Sequence, residues 1–176
     1  MRRQRGKSLN KSCQKSVDNR IMTTSNEVRK IIIYTDGGSR GNPGPAAIGV
    51  VICDEKGKVL KDYSEYIGAA TNNEAEYHAV ILALKKVKAL YGKKTIKTTE
   101  VEVRSDSELL IQQLNGKYKV VEPKIQSLFL QVWNLKVEFK KIKFVVVPRE
   151  KNKEADKLVN QALDAEEGGP LTGLFG

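Results

Sequence analysis

Four acidic residues stand where carboxylates can do chemistry together. Asp36 follows Ile31-Ile32-Ile33-Tyr34-Thr35 and precedes Gly37-Gly38. An apolar, β-branched run bounded by turn residues predicts a strand buried on both faces, with Asp36 where it ends. Asp106 lies just past the fourth predicted strand, Glu100 to Arg104, within Ser105-Asp106-Ser107. Glu76 and Asp156 fall in the first turns of predicted helices, each heading an apolar stripe. Taken singly, each has an ordinary role: Asp-Gly starts turns, Asp caps helices, and first-turn acids complement the helix dipole. Helices that follow parallel strands begin at the carboxyl-end rim, so all four can converge there. Unpaired, they would repel one another and their pKa values would rise. Divalent cations resolve that conflict, and oxygen-only ligands favour Mg²⁺ or Mn²⁺ over zinc. Two such ions about 3.5–4 Å apart suit an in-line phosphoryl displacement. The chemistry read from residue types is that of a metal-dependent nuclease.

The elements that must position these acids follow in order. After the first strand, Ser39-Arg40-Gly41-Asn42-Pro43-Gly44-Pro45 is a turn region that leads into a strand, Ala47 to Cys53. A phosphate-binding loop would have to open a helix there. A third strand spans Val59 to Ile67, completing an antiparallel meander. Thr71-Asn72-Asn73-Glu74 has capping-box spacing and predicts a helix to about Tyr91, with Glu76, Val80, Ala83, Val87 and Leu90 on its inward stripe and His78 solvated. A short helix reaches Leu114, and a basic loop holds Lys117-Tyr118-Lys119. The next helix runs from Pro123 to about Val137, with Trp133 assigned to the core. A fifth strand spans Lys141 to Val147, its run Phe144 to Val147 buried on both faces, and a last helix spans Glu154 to Asp164.

Composition narrows the alternatives. With one histidine and two cysteines, Cys13 and Cys53, a zinc cluster, a disulfide framework and a Ser-His-Asp triad are all poorly supported. No stretch approaches the roughly 20 apolar residues of a membrane span, and no apolar run follows the basic N-terminus as a signal peptide requires. The net charge of +10 is uneven: residues 1–30 hold nine Lys/Arg against Asp18 and Glu27, or +7. Residues 1–28 read as a disordered basic arm with salt-sensitive affinity for nucleic acid, residues 29–165 as one domain, and 166–176 as a flexible tail. A cytoplasmic monomer is the expectation. The Arg-rich, acid-poor arm also fits an organellar transit peptide, with Met22 as an internal start.

Tyr34-Thr35-Asp36-Gly37-Gly38-Ser39-Arg40-Gly41-Asn42-Pro43-Gly44-Pro45, Thr71-Asn72-Asn73-Glu74-Ala75-Glu76, Ser105-Asp106-Ser107 and Asn152-Lys153-Glu154-Ala155-Asp156, in that order, closely resemble type 1 ribonuclease H. The likeness runs from about Lys30 to Asp164. It implies an α/β ribonuclease H-like fold, a mixed five-stranded sheet in the order 3-2-1-4-5 flanked by helices. It implies endonucleolytic cleavage of the RNA strand of RNA–DNA hybrids with two Mg²⁺ ions (or Mn²⁺), leaving 5′-phosphate and 3′-hydroxyl ends. By that resemblance Asp36, Glu76, Asp106 and Asp156 form the catalytic, metal-binding tetrad. Asp36 would bridge both ions, Glu76 would also touch a ribose 2′-OH, and Asp156 would hold the nucleophile-side metal. Asn42, Asn72 and Asn73 would line the hybrid's minor groove, where amides can both donate and accept. Thr71 would contact a DNA phosphate, and Asn152 is assigned with them to substrate binding.

The chain also departs from that family. Many members carry a histidine in the loop before the last acid, whereas Val147-Pro148-Arg149-Glu150-Lys151-Asn152 has none. Arg149 is the substitute, fitted to steady phosphate but poor as a proton shuttle. The stretch around Lys117 is much shorter than the basic helix some members insert, and Glu108 stands where a glutamine is often found. Two other classes compete: a hybrid- or duplex-RNA-binding module without activity, and a DNA-cutting nuclease on the same fold. Four intact acids disfavour the first and the asparagine pair the second.

Overall fold

The isoleucine run sits at the centre of the sheet. A computed structural model describes residues 30–168, so the arm read over 1–28 and most of the tail lie outside the described residues. Strand β1 (Lys30–Ser39) pairs antiparallel with β2 (Gly44–Cys53), which pairs antiparallel with β3 (Val59–Ala70). On its other side β1 pairs parallel with β4 (Glu100–Ser105), and β4 with β5 (Lys141–Val146). The order is β3-β2-β1-β4-β5, as the resemblance implies.

Alternation along β1 divides the core. Ile31 and Ile33 face α1 (Asn72–Ile96), α2 (Glu108–Leu114) and α3 (Pro123–Lys136), packing with Val80, Leu84, Val87, Leu110 and Ile125. Ile32 faces the opposite way, with Val51 and Cys53, against Ala155 of α4 (Lys153–Glu167). Val159 and Leu163 extend that contact over Ala47. Helix α1 starts as expected: the Thr71 side chain accepts from Glu74 N (3.2 Å), and Glu74 Oε2 accepts from Thr71 N (2.7 Å). It stays helical to Tyr91, where Gly92 interrupts it with φ 75° before a further turn ends at Ile96.

Several expectations are corrected. β1 does not end at Asp36: it continues beside β2 to Ser39, and only its parallel partnership with β4 stops early, at Tyr34. β5 is an edge strand with Val145 half-buried and Val146 exposed, so its valine run is not buried on both faces. Leu90 and Trp133 are exposed, since no element covers the outer sides of α1 and α3 there; Trp133 stacks on Phe129 instead. His78 is half-buried rather than solvated, and burial holds its pKa below the ordinary value. α4 runs on to Glu167, into the segment read as tail.

Two glycines set how closely helices approach the sheet. A Cβ on Gly37 would lie 2.2 Å from the Ala75 carbonyl carbon and 2.3 Å from Glu76 N. A Cβ on Gly49 would lie 2.3 Å from the Ala155 oxygen. Backbone thus touches backbone at the first turns of α1 and α4, beside Glu76 and Asp156. Gly37→Ala must push α1 off the sheet; it should cost about 3 kcal/mol, read as a lower urea midpoint. A midpoint within error of the parent would show that α1 has room to yield.

Candidate active site

The parallel register places the two strand acids at one level. Ile32 pairs with Glu102 and Tyr34 with Arg104, a constant offset of 70 residues, so Asp36 and Asp106 occupy equivalent positions just beyond the last pair. There β1 stays with β2 while β4 ends, and the two strands part. Asp36 lies opposite Gly49 in β2, the residue whose missing side chain admits Ala155. Asp156, the next residue, is thereby brought near enough for its charge to act on Asp36, and the Gly37 contact brings Glu76 within reach of Asp36.

These neighbours act on one another. Burial, then the charges of Asp106 and Asp156, raise the Asp36 pKa to about 7, against the lowering effect of the Gly37 amide and Arg149. Burial, then Asp36 and Asp106, hold Glu76 well above the ordinary carboxyl range, with a Ser105 hydrogen bond opposing.

Each acid also has a donor of its own. Ser105 Oγ donates to Glu76 Oε2 (3.4 Å), and Asn152 Nδ2 donates to Asp106 Oδ1 (2.6 Å). Asp156 accepts from Arg149 (3.3 Å) at Oδ1 and from Asn160 Nδ2 (3.2 Å) at Oδ2. The N-cap of α2 is Ser107, accepting from Leu110 N, so Asp106 is spared that duty. Among the described residues no three of His, Cys, Asp and Glu close into a ready metal cage. The carboxylates share one field while each leans on its own donor. Their all-oxygen donor set and mutual repulsion fit hard divalent cations, with Asp36, Glu76, Asp106 and Asp156 as the residues that would hold them.

The residues assigned to substrate divide by environment. Asn42 and Asn72 are exposed and interlocked: Asn42 Oδ1 accepts from Asn72 N (3.1 Å), and Asn72 Oδ1 accepts from Ser39 N (2.8 Å). Asn73 and Thr71 are half-buried at the start of α1. Arg149 projects into solvent, 77% exposed, over a cleft lined by Glu150, Lys153 and Asp156. Asn152 is placed differently. It is 1% exposed, and its amide bridges the Thr35 carbonyl (3.0 Å) and Asp106, so its side chain faces protein rather than substrate. It sits at the N-cap of α4 without capping it. Sequence reasoning missed Ser105, Thr35 and Asn160. Ser105 continues the inward alternation of Val101 and Val103, and Asn160 follows Asp156 by four residues, which puts both on one helix face.

A family model described as "Reverse transcriptase-like" matches residues 34–162, the stretch that contains all four acids. The chain belongs to the ribonuclease H family. It is 38% identical over 135 residues to a protein named Ribonuclease HI from Halobacterium salinarum, covering 77% of this chain and 65% of that protein. It is 41% identical over 137 residues to the Bifunctional protein Rv2228c of Mycobacterium tuberculosis, covering 77% of this chain but only 36% of that protein. The chain thus spans about a third of the length of that mycobacterial relative. Among solved structures, LC11-RNase H1 in complex with RNA/DNA hybrid is 52% identical with a TM-score of 0.75, covering 78% of this chain and 99% of that one. The ribonuclease H domain here carries the four acids on the same fold.

The repulsion at the rim has a stability consequence. Asp36 has a folded pKa of about 7 against 3.8 for the free group. Its charged form therefore opposes folding, and stability falls as pH rises between those values. With chelator present at pH 8, Asp36→Asn should be more stable than the parent by on the order of 2 kcal/mol once screening is allowed for. The gain should vanish near pH 4. Equal melting temperatures at pH 8 would mean that neither burial nor the neighbouring carboxylates oppose the charge on Asp36.

Proposed function

We infer that this chain is an endoribonuclease that hydrolyses the RNA strand of RNA–DNA hybrids with two Mg²⁺ ions (Mn²⁺ as substitute), leaving 5′-phosphate and 3′-hydroxyl ends. The observation that carries it is that Asp36 and Asp106 each follow the last β1–β4 pair by two residues, with Asp106 and Asp156 acting on Asp36 and both Asp36 and Asp106 acting on Glu76. The hybrid bound to a relative 52% identical supports the substrate class. When bound, the ions supply Lewis acidity that lowers the pKa of water and stabilises the leaving oxygen.

The chain's own residues do the rest. Exposed Asn42 and Asn72, tied to Ser39 and to each other, offer amides to base edges and 2′-hydroxyls in the minor groove, with Asn73 beside them. Thr71, at the N-cap of α1, takes a phosphate of the DNA strand. Asn152 fixes Asp106 against the Thr35 carbonyl, so one acid ligand is oriented before any cation arrives. Arg149, next to Asp156 and open to solvent, steadies the departing phosphate. We also propose a cytoplasmic monomer.

A labelled hybrid incubated with and without Mg²⁺ tests the reading. RNA should be cut only with metal, and duplex DNA left whole; an intact hybrid would point to a binding module, and equal cutting of DNA to a DNA nuclease. Asp36→Asn should lose cleavage by about 10³-fold or more while hybrid affinity stays within about threefold, because it removes cation-binding charge and no groove contact. Arg149→Ala should lower kcat about tenfold with little change in KM. An unchanged kcat would leave Arg149 as Asp156's ion-pair partner alone.

A further inference from the structure

At the end of the molecule opposite the acids, positive charge accumulates. Between Glu76 and Glu100 the sequence has six lysines and no Asp or Glu. Helix α1 carries these lysines away from the rim, about 22 Å over the fifteen residues from Glu76 to Tyr91. Lys93 and Lys94 are exposed in its last turn and Lys97 is its C-cap. Lys140 joins them, its backbone N donating to the Ile96 carbonyl (2.9 Å). The same end holds the starts of three parallel strands, Lys30, Glu100 and Lys141, in register.

The local acids are already engaged. Glu138 takes Lys88 (2.5 Å), Glu100 lies 3.6 Å from Lys141, and Glu102 takes Lys30 (2.6 Å) and Arg104. Among the described residues no ion pair engages Lys93, Lys94, Lys97 or Lys140. Lys93, Lys94 and the C-cap Lys97 complement the helix dipole, but Lys140 lies outside the helix and has no such role. The rim acids are more than two Debye lengths away at physiological salt, so their field does not cancel this one.

We propose that this basal lysine face, formed by Lys93, Lys94, Lys97 and Lys140, is a second binding surface for the phosphate backbone of a nucleic acid duplex, separate from the catalytic rim. The cleft between Lys93, Ile96, Lys97, Val137 and Glu138 has one acid and no convergent donors, so it does not suit a single phosphate. Four ammonium groups at this end, on flexible stems, suit successive phosphates without reading bases. The surface would hold the enzyme on a flanking or neighbouring duplex while the rim works. The proposal stands apart from the hydrolytic reading of the rim.

The test is a sandwich assay with the full chain. Asp36→Asn protein is loaded on an immobilised 12-base-pair hybrid, and a labelled 20-base-pair DNA duplex is offered in solution. The duplex should be captured. Changing Lys93, Lys94, Lys97 and Lys140 together to Gln should weaken capture about tenfold and lower the slope of log affinity against log salt by about 3 to 4. In a chain with Asp36 intact, the same four changes should leave cleavage of the short hybrid within about twofold. Should the quadruple variant melt early, Lys94→Gln/Lys97→Gln is used, with half the change in slope. Undiminished capture overturns the proposal. So does a parallel loss of short-hybrid cleavage, which would put the lysines in the substrate's own path. Lysine-dependent binding to phosphatidylserine vesicles with no duplex capture would make a membrane the partner and also overturn it. A parent chain that captures duplex yet never cuts hybrid fails the rim's reading alone.

Discussion

The site depends on backbone meeting backbone. Gly37 lets the first turn of α1 rest on β1, and Gly49 lets the first turn of α4 rest on β2. A methyl group at either position would overlap main-chain atoms, which cannot rotate away as a side chain can. The two approaches come from opposite faces of the sheet, one residue from Asp36 in β1 and directly opposite it in β2. They carry Glu76 and Asp156 to a rim that already bears Asp36 and Asp106. The clustering of charge is thus imposed by close packing that the buried core stabilises.

That clustering works against the fold, and the surrounding groups show how it is tolerated. Burial pushes Asp36 and Glu76 towards their neutral forms, joined by the charges of Asp106 and Asp156 at Asp36 and of Asp36 and Asp106 at Glu76. Asp106 is held by an asparagine that gives up helix capping to reach it. Asp156 lies at the open side, where Arg149 and Asn160 share its charge. The acids therefore grade from desolvated to solvated across the rim. Such a site is costly when empty of cations and eased by them, which makes stability and cation affinity two views of one repulsion.

Charge is also sorted along the molecule. The carboxyl-end rim gathers acids, while the opposite end gathers lysines around the last turn of α1 and the start of β5. Between the two ends lies the apolar core shared by α1, α2 and α3. On the face of the sheet that carries Ile32, Glu102 is buried and Arg104 half-buried. There, a carboxylate taking both Lys30 and Arg104, with Arg104 also donating to Tyr34 (2.6 Å), does what apolar packing does elsewhere.

By itself the sequence determined the meander, the capped start of α1, the strand-then-acid pattern at Asp36 and Asp106, and the family. Those features are written locally, in β-branched runs, a Thr71–Glu74 box and turn residues whose preferences do not depend on distant parts of the chain. It misjudged what depends on neighbours. Whether Val145-Val146 or Trp133 is covered turns on which elements lie outside β5 and α3, and no local pattern records that. The role of Asn152 was hidden for the same reason: an asparagine before a helix has the residue type of a cap, and only the fold brings Asp106 and the Thr35 carbonyl within its reach. Tertiary structure alone decided that Asp36 and Asp106 stand level, because a parallel register between strands 70 residues apart is set by packing on both sheet faces.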